Sequence, residues 1–172
     1  MSTQAVDPIP LLEALQRHGV DFIVIGAAAA ITQGSPLPTY DLDVTPARDS
    51  GNIDRIVAAL VELDGKLRTP TEPVSFPIDA RMLAGADAWT LDTTSGPLDL
   101  VFVPAGTQGY DDLRRDALHV DLGTGTPVRV ASLRDVIRMK EASNREKDRA
   151  QLPALRRTLE VIQRREREGE ER

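Results

Sequence analysis

Hydrophobic positions along this chain alternate between short apolar runs and segments with helical spacing. Short apolar runs favour buried strands, whereas apolar residues three and four positions apart favour amphipathic helices. Gly and Pro residues separate many of these segments, as expected of turns. The pattern predicts strands at 22–25, 40–44, 89–93, 98–103, 118–122 and 128–130, and helices at 11–18, 27–32, 52–63, 80–83, 132–143 and 147–167.

The order of these elements indicates an α/β protein of the α+β type, with a mixed sheet flanked by helices and a C-terminal helix pair. A chain of 172 residues is long enough for one domain with a substantial core. We expect a core spanning 1–131 and a helical pair spanning 132–172 that packs on it, within a single domain. Prolines disfavour a long regular element between 66 and 86, which we interpret as a variable loop.

A carboxylate interrupts the apolar pattern of the strand predicted at 98–103. Because side chains alternate across a strand, Leu98 and Leu100 would share one face and Asp99 would lie on the other. Burying an unpaired carboxylate is costly. We therefore expect Asp99 to have a partner or a chemical role.

A second acidic feature follows the apolar strand and the glycine at 22–26. By the same alternation, Asp41 and Asp43 would point to one face of their strand and Leu42 to the other. Magnesium prefers oxygen ligands and often binds one or two carboxylates together with substrate phosphates. Asp41, Asp43 and Asp99 together form a candidate metal site for phosphoryl transfer.

Composition narrows the chemistry of any such site. The chain has no cysteine and two histidines, which excludes disulfides and thiolate sites and leaves too few histidines for a histidine-built zinc site. The first residues lack the pattern of a secretory leader, and no apolar stretch approaches the length of a membrane span. We expect a cytoplasmic protein that binds any metal through oxygen.

The charge is unevenly distributed. The net charge is −6, which argues against a surface that binds nucleic acid everywhere. Residues 1–133 carry a net charge of −9, whereas residues 134–172 carry a net charge of +3. The C-terminal part is therefore the better place to receive phosphates, although its last turns are typical of a solvated, charged helix.

The motifs resemble those of the nucleotidyltransferase superfamily of DNA polymerase beta. The residues that carry the resemblance are Ile23-Val24-Ile25-Gly26-Ala27, Gly34-Ser35-Pro36, Thr39-Tyr40-Asp41-Leu42-Asp43 and Leu98-Asp99-Leu100. The C-terminal segments 130–140 and 145–148 are similar to a small bacterial branch, the AbiEii-type toxins of abortive-infection toxin–antitoxin systems. The resemblance covers roughly residues 11–160 and implies a nucleotidyltransferase-like fold.

The resemblance also implies roles for individual residues. Gly26 and Ala27, at the start of a helix, would cradle the triphosphate, since helix N-termini attract phosphate. Asp41 and Asp43 would bind Mg²⁺, and Asp99 would be the third acid and a candidate base. The chain departs from the family pattern at two positions, where Ala27 replaces a serine and Leu37 replaces a basic residue.

Other residues would complete the nucleotide site. Ser35 or Thr32 would supply the hydroxyl that Ala27 lacks. Lys140 and Lys147 would offset triphosphate charge, because lysine acts as a point charge for phosphate. Packing over the helix pair is an equal alternative for Lys140. Tyr40 lies next to the acid pair. Its side chain would either pack in the core or stack on a base.

Three functions remain open on these grounds. The first is a magnesium-dependent nucleotidyltransferase that uses an NTP and an RNA acceptor, such as a tRNA 3′ end, with an antitoxin protein as partner. The second is a small-molecule nucleotidyltransferase of the aminoglycoside type, whose cationic substrate suits an acidic cleft. The third is a non-catalytic module that binds a nucleotide or a protein, which the residues at 27 and 37 favour.

Overall fold

The computed structural model describes residues 7–171, which form a seven-stranded mixed sheet and the helices around it. This confirms the predicted class, a mixed sheet with flanking helices and a C-terminal helix pair. The elements in chain order are α1 Ile9–Arg17, β1 Phe22–Ile25, α2 Gly26–Thr32, β2 Leu42–Pro46, α3 Ser50–Glu62, β3 Lys66–Leu67, α4 Ala80–Ala84, β4 Ala88–Thr93, β5 Gly96–Val101, α5 Tyr110–Leu113, β6 Leu118–Val120, β7 Val128–Val130, α6 Leu133–Ser143 and α7 Glu146–Glu170.

The strand order across the sheet is β3-β4-β5-β2-β1-β7-β6. The pairs β2–β5 and β1–β7 are parallel, and the other neighbouring pairs are antiparallel. All four residues of β1 are buried, as a strand in the middle of a sheet covered by helices requires. β1 therefore lies inside the hydrophobic core, and β2 and β5 contribute Leu42, Val44, Leu98 and Leu100 to it.

Local capping fixes where the helices begin. Asp49 precedes α3 and accepts a hydrogen bond from the Asn52 amide, and Ser132 caps α6 by accepting one from the Asp135 amide at 3.1 Å. These bonds satisfy amides that have no partner within the helix.

Two segments next to the acids differ from the prediction. The second strand begins at Leu42 instead of Tyr40, because the Thr39 hydroxyl donates to the Asp41 carbonyl at 2.8 Å and closes the chain on itself before the strand. The segment 66–86 contains a short strand, β3. Leu67 and Val74 exchange two backbone hydrogen bonds of 2.9 Å, which the nearby prolines do not interrupt because they lie between and beyond these residues.

Helix α6 connects the C-terminal helix pair to the rest of the fold. Helix α6 contacts both α2 and α7, and α2 contacts β1 and β2. Within residues 7–171, no helix combines the length and the apolar character that crossing a membrane requires. The division into a core of 1–131 and a helical pair of 132–172 stays a prediction.

Candidate active site

Strand pairing brings the three predicted aspartates together. In the parallel pair β2–β5, Asp43 lies directly opposite Asp99, and Asp41 lies two residues before Asp43 on the same side. One carboxylate oxygen from each residue lies within 4.8 Å of the other two. Leu42, Leu98 and Leu100 are fully buried on the opposite side, as the alternation predicted.

A glycine bend lies against this cluster. Ile25, the last residue of β1, is opposite Asp43, and the chain turns at Gly26 with φ +66° to begin α2. A Cβ at Gly26 would collide with Oδ2 of Asp43 and would lie 3.2 Å from its Cγ. The position therefore requires glycine both for its backbone conformation and for the close approach to Asp43.

Burial and the charge of Asp41 raise the pKa values of Asp43 and Asp99. Burial raises the pKa of Asp43 to about 8, with further contributions from the charges of Asp41 and Asp99, against an opposing effect from Lys147. Burial also raises the pKa of Asp99, although the positive charge of Arg68 opposes that change. Three acids that share a partly buried site favour a bound proton or cation.

The cluster fits a hard divalent cation. Its donors are carboxylate oxygens, which Mg²⁺ prefers. Oδ1 of Asp99 is buried, and within residues 7–171 it has no hydrogen-bond partner. Nη1 of Arg68 lies 3.0 Å from this oxygen as an ion pair, without the alignment of a hydrogen bond. Three carboxylates lie this close together with one guanidinium paired to them, so a bound divalent cation would offset the negative charge that remains.

A cleft of about 610 Å³ opens over the carboxylates. Its floor contains Gly26, Ala27 and the three aspartates. One wall, from β4, β5 and the segment after β5, is largely apolar, and the other, from α6 and α7, carries the basic side chains. The wall residues include Ala88, Trp89, Val101, Pro104, Ala105, Val136, Met139, Lys140, Arg145 and Lys147. The cleft has the size of a small-molecule site and joins acidic, apolar and basic surfaces.

A buried acid organises the basic wall. Asp148 is 1% exposed, and it accepts a hydrogen bond from Nε of Arg145 at 2.9 Å and lies 3.4 Å from Nζ of Lys140. Burial alone would raise the pKa of Asp148, but the hydrogen bond and charge of Arg145 and the charge of Lys140 lower it to about 2. Asp148 therefore remains ionised and holds Lys140 of α6 close to Arg145, the residue that precedes α7.

The structure brings most of the predicted site residues to one cleft. Gly26, Ala27, Lys140 and Lys147 line it together with the three aspartates, and Lys147 is exposed at its edge. Tyr40 also lines the cleft and is 54% exposed, so its stacking role stays a prediction.

The two candidate hydroxyl groups are not brought to the cleft. Ser35 is buried outside it, and its Oγ accepts a hydrogen bond from the Leu37 amide at 3.3 Å. Thr32 lies at the far end of α2, and its hydroxyl donates to the Ala29 carbonyl at 2.8 Å. Both expectations are wrong, because α2 carries the chain away from the glycine bend.

Arg68 is the residue that the sequence interpretation missed. It follows β3, in the segment interpreted as a variable loop, and its guanidinium reaches Asp99. A strand of two residues has no periodic pattern, so no sequence signal pointed to Arg68.

Comparison with known proteins identifies the architecture. No protein-family model matches the chain, and no curated protein matches it. Among solved structures, the chain is similar to the lincosamide antibiotic adenylyltransferase LnuA in its lincomycin-bound form. The TM-score is 0.59 at 12% identity, and the alignment covers 89% of this chain and 98% of LnuA. The chain has a nucleotidyltransferase fold.

A second structure with this fold is similar over nearly its whole length. It is a protein from Thermotoga maritima that is provisionally assigned as a nucleotidyltransferase, with a TM-score of 0.50 at 15% identity. The alignment covers 92% of this chain and 98% of that protein. At such low identities the likeness establishes the nucleotidyltransferase fold, and the chemistry must be argued from the cleft itself.

The glycine bend yields a stability prediction. Gly26→Ala should lower the free energy of unfolding by about 1–3 kcal/mol, because alanine is strained at φ +66° and its Cβ would collide with Asp43. Gly169→Ala is the matched control, because its added Cβ would meet no atom within 4 Å on α7. Urea unfolding of both variants in EDTA measures the difference, and equal stabilities would contradict this interpretation of Gly26.

The raised pKa of Asp43 predicts how stability depends on pH. Between its ordinary value of 3.8 and about 8, folded Asp43 binds a proton that the unfolded chain releases. The free energy of unfolding should therefore fall as pH rises through this window. We expect a fall on the order of 1–2 kcal/mol between pH 6 and pH 8 in EDTA, and a smaller slope in Asp43→Asn.

The control for this pH dependence is Asp54→Asn, which changes an exposed carboxylate on α3. Urea unfolding at several pH values should give Asp54→Asn the slope of the unmodified protein. A slope that Asp43→Asn leaves unchanged would show that Asp43 does not hold a proton in the folded state.

Proposed function

We propose that this protein is a metal-dependent nucleotidyltransferase, which transfers a nucleoside monophosphate from an NTP to an acceptor hydroxyl. The observation that carries the proposal is the convergence of Asp41, Asp43 and Asp99, within 4.8 Å of one another, beside the Gly26 bend. The fold and the basic wall of the cleft support it. Asp41, Asp43 and Asp99 would hold Mg²⁺, which would supply charge neutralisation at the phosphates.

The side chains of the cleft have separate tasks in this proposal. Backbone amides at Gly26 and Ala27 would approach the triphosphate, and Lys140 and Lys147 would offset its charge. In the transfer, the acceptor oxygen forms a bond to the α-phosphorus and the bond to pyrophosphate breaks. The hydroxyl proton would pass to Asp99, whose pKa burial raises from its ordinary value.

Proton transfer and phosphate binding use opposite sides of the cleft. Asp99 belongs to β5, on the side of the apolar wall, whereas Lys140 and Lys147 belong to α6 and α7. The acceptor would therefore enter along the wall that contains Ala88 and Val101, which are paired on the face that carries Asp99.

Two classes of acceptor fit this cleft. The motif resemblance implies RNA, such as a tRNA 3′ end, and with it an antitoxin partner. A small hydroxylated, cationic molecule is favoured by the net charge of −9 in residues 1–133. The similarity to LnuA, a lincosamide antibiotic adenylyltransferase, also favours a small-molecule acceptor. The alignment covers 98% of LnuA.

Transfer of label tests the reaction itself. With α-labelled NTPs, Mg²⁺ and a mixture of RNA and small hydroxylated amines, label should appear on an acceptor. Asp41→Asn and Asp43→Asn should each reduce the initial rate about 100-fold or more, because a metal site supplies several kcal/mol of stabilisation. Asp54→Asn should retain the full rate.

Two results of this assay would change the conclusion. Full activity in Asp41→Asn and Asp43→Asn would remove the metal assignment. If no label is transferred although Mg²⁺ and a non-hydrolysable NTP raise the melting temperature, the fold serves as a non-catalytic binding module, since only a ligand of the folded state stabilises it.

Salt dependence separates the two acceptor classes. If the acceptor is RNA, its apparent affinity should fall by about tenfold or more between 50 and 200 mM KCl, because phosphate contacts release counterions. A small amine with one or two charges should show a much weaker dependence. Initial rates at both salt concentrations with tRNA and with an aminoglycoside or lincosamide panel measure this, and a steep loss restricted to tRNA would identify RNA.

A further inference from the structure

The carboxylate cluster is the end of a row of polar residues that crosses the sheet. Thr90 of β4 lies opposite Asp99 of β5, and Asp99 lies opposite Asp43 of β2. Directly after β3, the backbone amide of Arg68 donates to the Thr90 carbonyl at 3.0 Å. Residues that are paired across strands point to the same face. The side chain of Arg68 therefore lies on the face that carries the acids.

The guanidinium of Arg68 is held on three sides. Its Nε donates to Oδ1 of Asp92 at 3.0 Å, its Nη2 donates to the Leu91 carbonyl at 2.6 Å, and its Nη1 lies 3.0 Å from Oδ1 of Asp99. The side chains of Arg68 and Asp99 are 30% and 15% exposed. A planar donor fixed by two hydrogen bonds presents its third nitrogen in one place.

Arg68 reaches Asp99 without filling the cleft. Arg68 is not among the residues that line the cavity, whereas Asp99 is. A carboxylate has two oxygens, so Arg68 can hold one while the other remains available to the cluster. The arrangement leaves the space between Asp41, Asp43 and Asp99 open.

The other cations near the cleft are less suited to pair with the three acids. Lys140 is paired with Asp148, and Lys147 is exposed at the start of α7. Both belong to the basic wall, where the phosphates would lie. Within residues 7–171, Arg68 is the cation that forms an ion pair with one of the three acids.

We propose that Arg68 is a positioning residue and the resident counter-cation of the carboxylate cluster. It holds Asp99 towards Asp41 and Asp43 and offsets their negative charge before a divalent ion binds. This inference rests on the proposed function and deepens it, because it explains how a partly buried group of three acids is maintained in the metal-free protein. A bound ion would take over both the charge and the orientation.

Thermal unfolding in EDTA tests the first half of this role. Arg68→Gln should lower the melting temperature by roughly 3 °C or more, because it leaves Asp99 partly buried without a counter-charge. Arg68→Lys should recover only part of the loss, because lysine lacks the fork that contacts three acceptors. The matched control is Arg156→Gln, which removes an ion pair with Glu141 whose side chains are about half exposed and should change little.

Addition of Mn²⁺ tests the second half. Saturating Mn²⁺ should raise the melting temperature of Arg68→Gln by more than that of the unmodified protein, so that the gap between them narrows. If Arg68 only supports the β3–β4 pairing, the gap will be the same with and without Mn²⁺. A constant gap would therefore contradict the inference.

A double-mutant cycle separates failure of this inference from failure of the proposed function. In EDTA, Arg68→Gln should cost much less in an Asp99→Asn background, because the charge that needs an offset is absent. If the unmodified protein does not respond to Mn²⁺ at all, the metal-dependent function is wrong. If it responds while Arg68 and Asp99 show no coupling in the cycle, the role of Arg68 alone is wrong.

Discussion

The parallel pairing of β2 with β5 is the constraint on which the site depends. It places Asp43 directly opposite Asp99, on strands whose leucines are buried in the core. Because the neighbouring leucines are fixed on the opposite face, a register shift of one residue would turn the acids into the core and the leucines out of it. Core packing and the geometry of the acids are thus set by the same pairing.

This pairing has an electrostatic cost that the surrounding structure reduces. Burial and the neighbouring acids raise the pKa of Asp43 to about 8, so the metal-free fold holds acidic groups that are costly to ionise. The glycine at 26 lets the chain pass close to Asp43 without a further side chain. Arg68 offsets the cluster from the β3 side, and the basic wall faces it across the cleft. A divalent ion would neutralise the remaining negative charge of the acids, and a triphosphate would neutralise the positive charge of the basic wall.

Sequence alone was sufficient where the signal was local. The alternation around Leu42 and Leu98 predicted which face each aspartate would take, because strand periodicity acts over two residues. Hydroxyl groups were predicted wrongly. Ser35 and Thr32 lie close to the glycine bend in sequence, but helix α2 separates them from it in space.

Arg68 could not be predicted, because its role depends on the pairing of β3 with β4 and of β4 with β5. The pairing of β3 with β4 has no signature in the segment around Arg68, where prolines and a two-residue strand suggest a loop. A contact that crosses three strands needs the assembled sheet. The fold class and the acid cluster thus follow from local pattern, whereas the electrostatic support of the cluster follows from topology.

The proposed function requires that the three acids share a divalent ion next to a bound nucleotide. Anomalous diffraction from crystals grown with Mn²⁺ and a non-hydrolysable NTP would locate both. We expect a manganese peak between Asp41, Asp43 and Asp99, with the triphosphate between the Gly26 bend and the basic wall. Ordered nucleotide elsewhere, or a nucleotide in the cleft without metal at these acids, would contradict it.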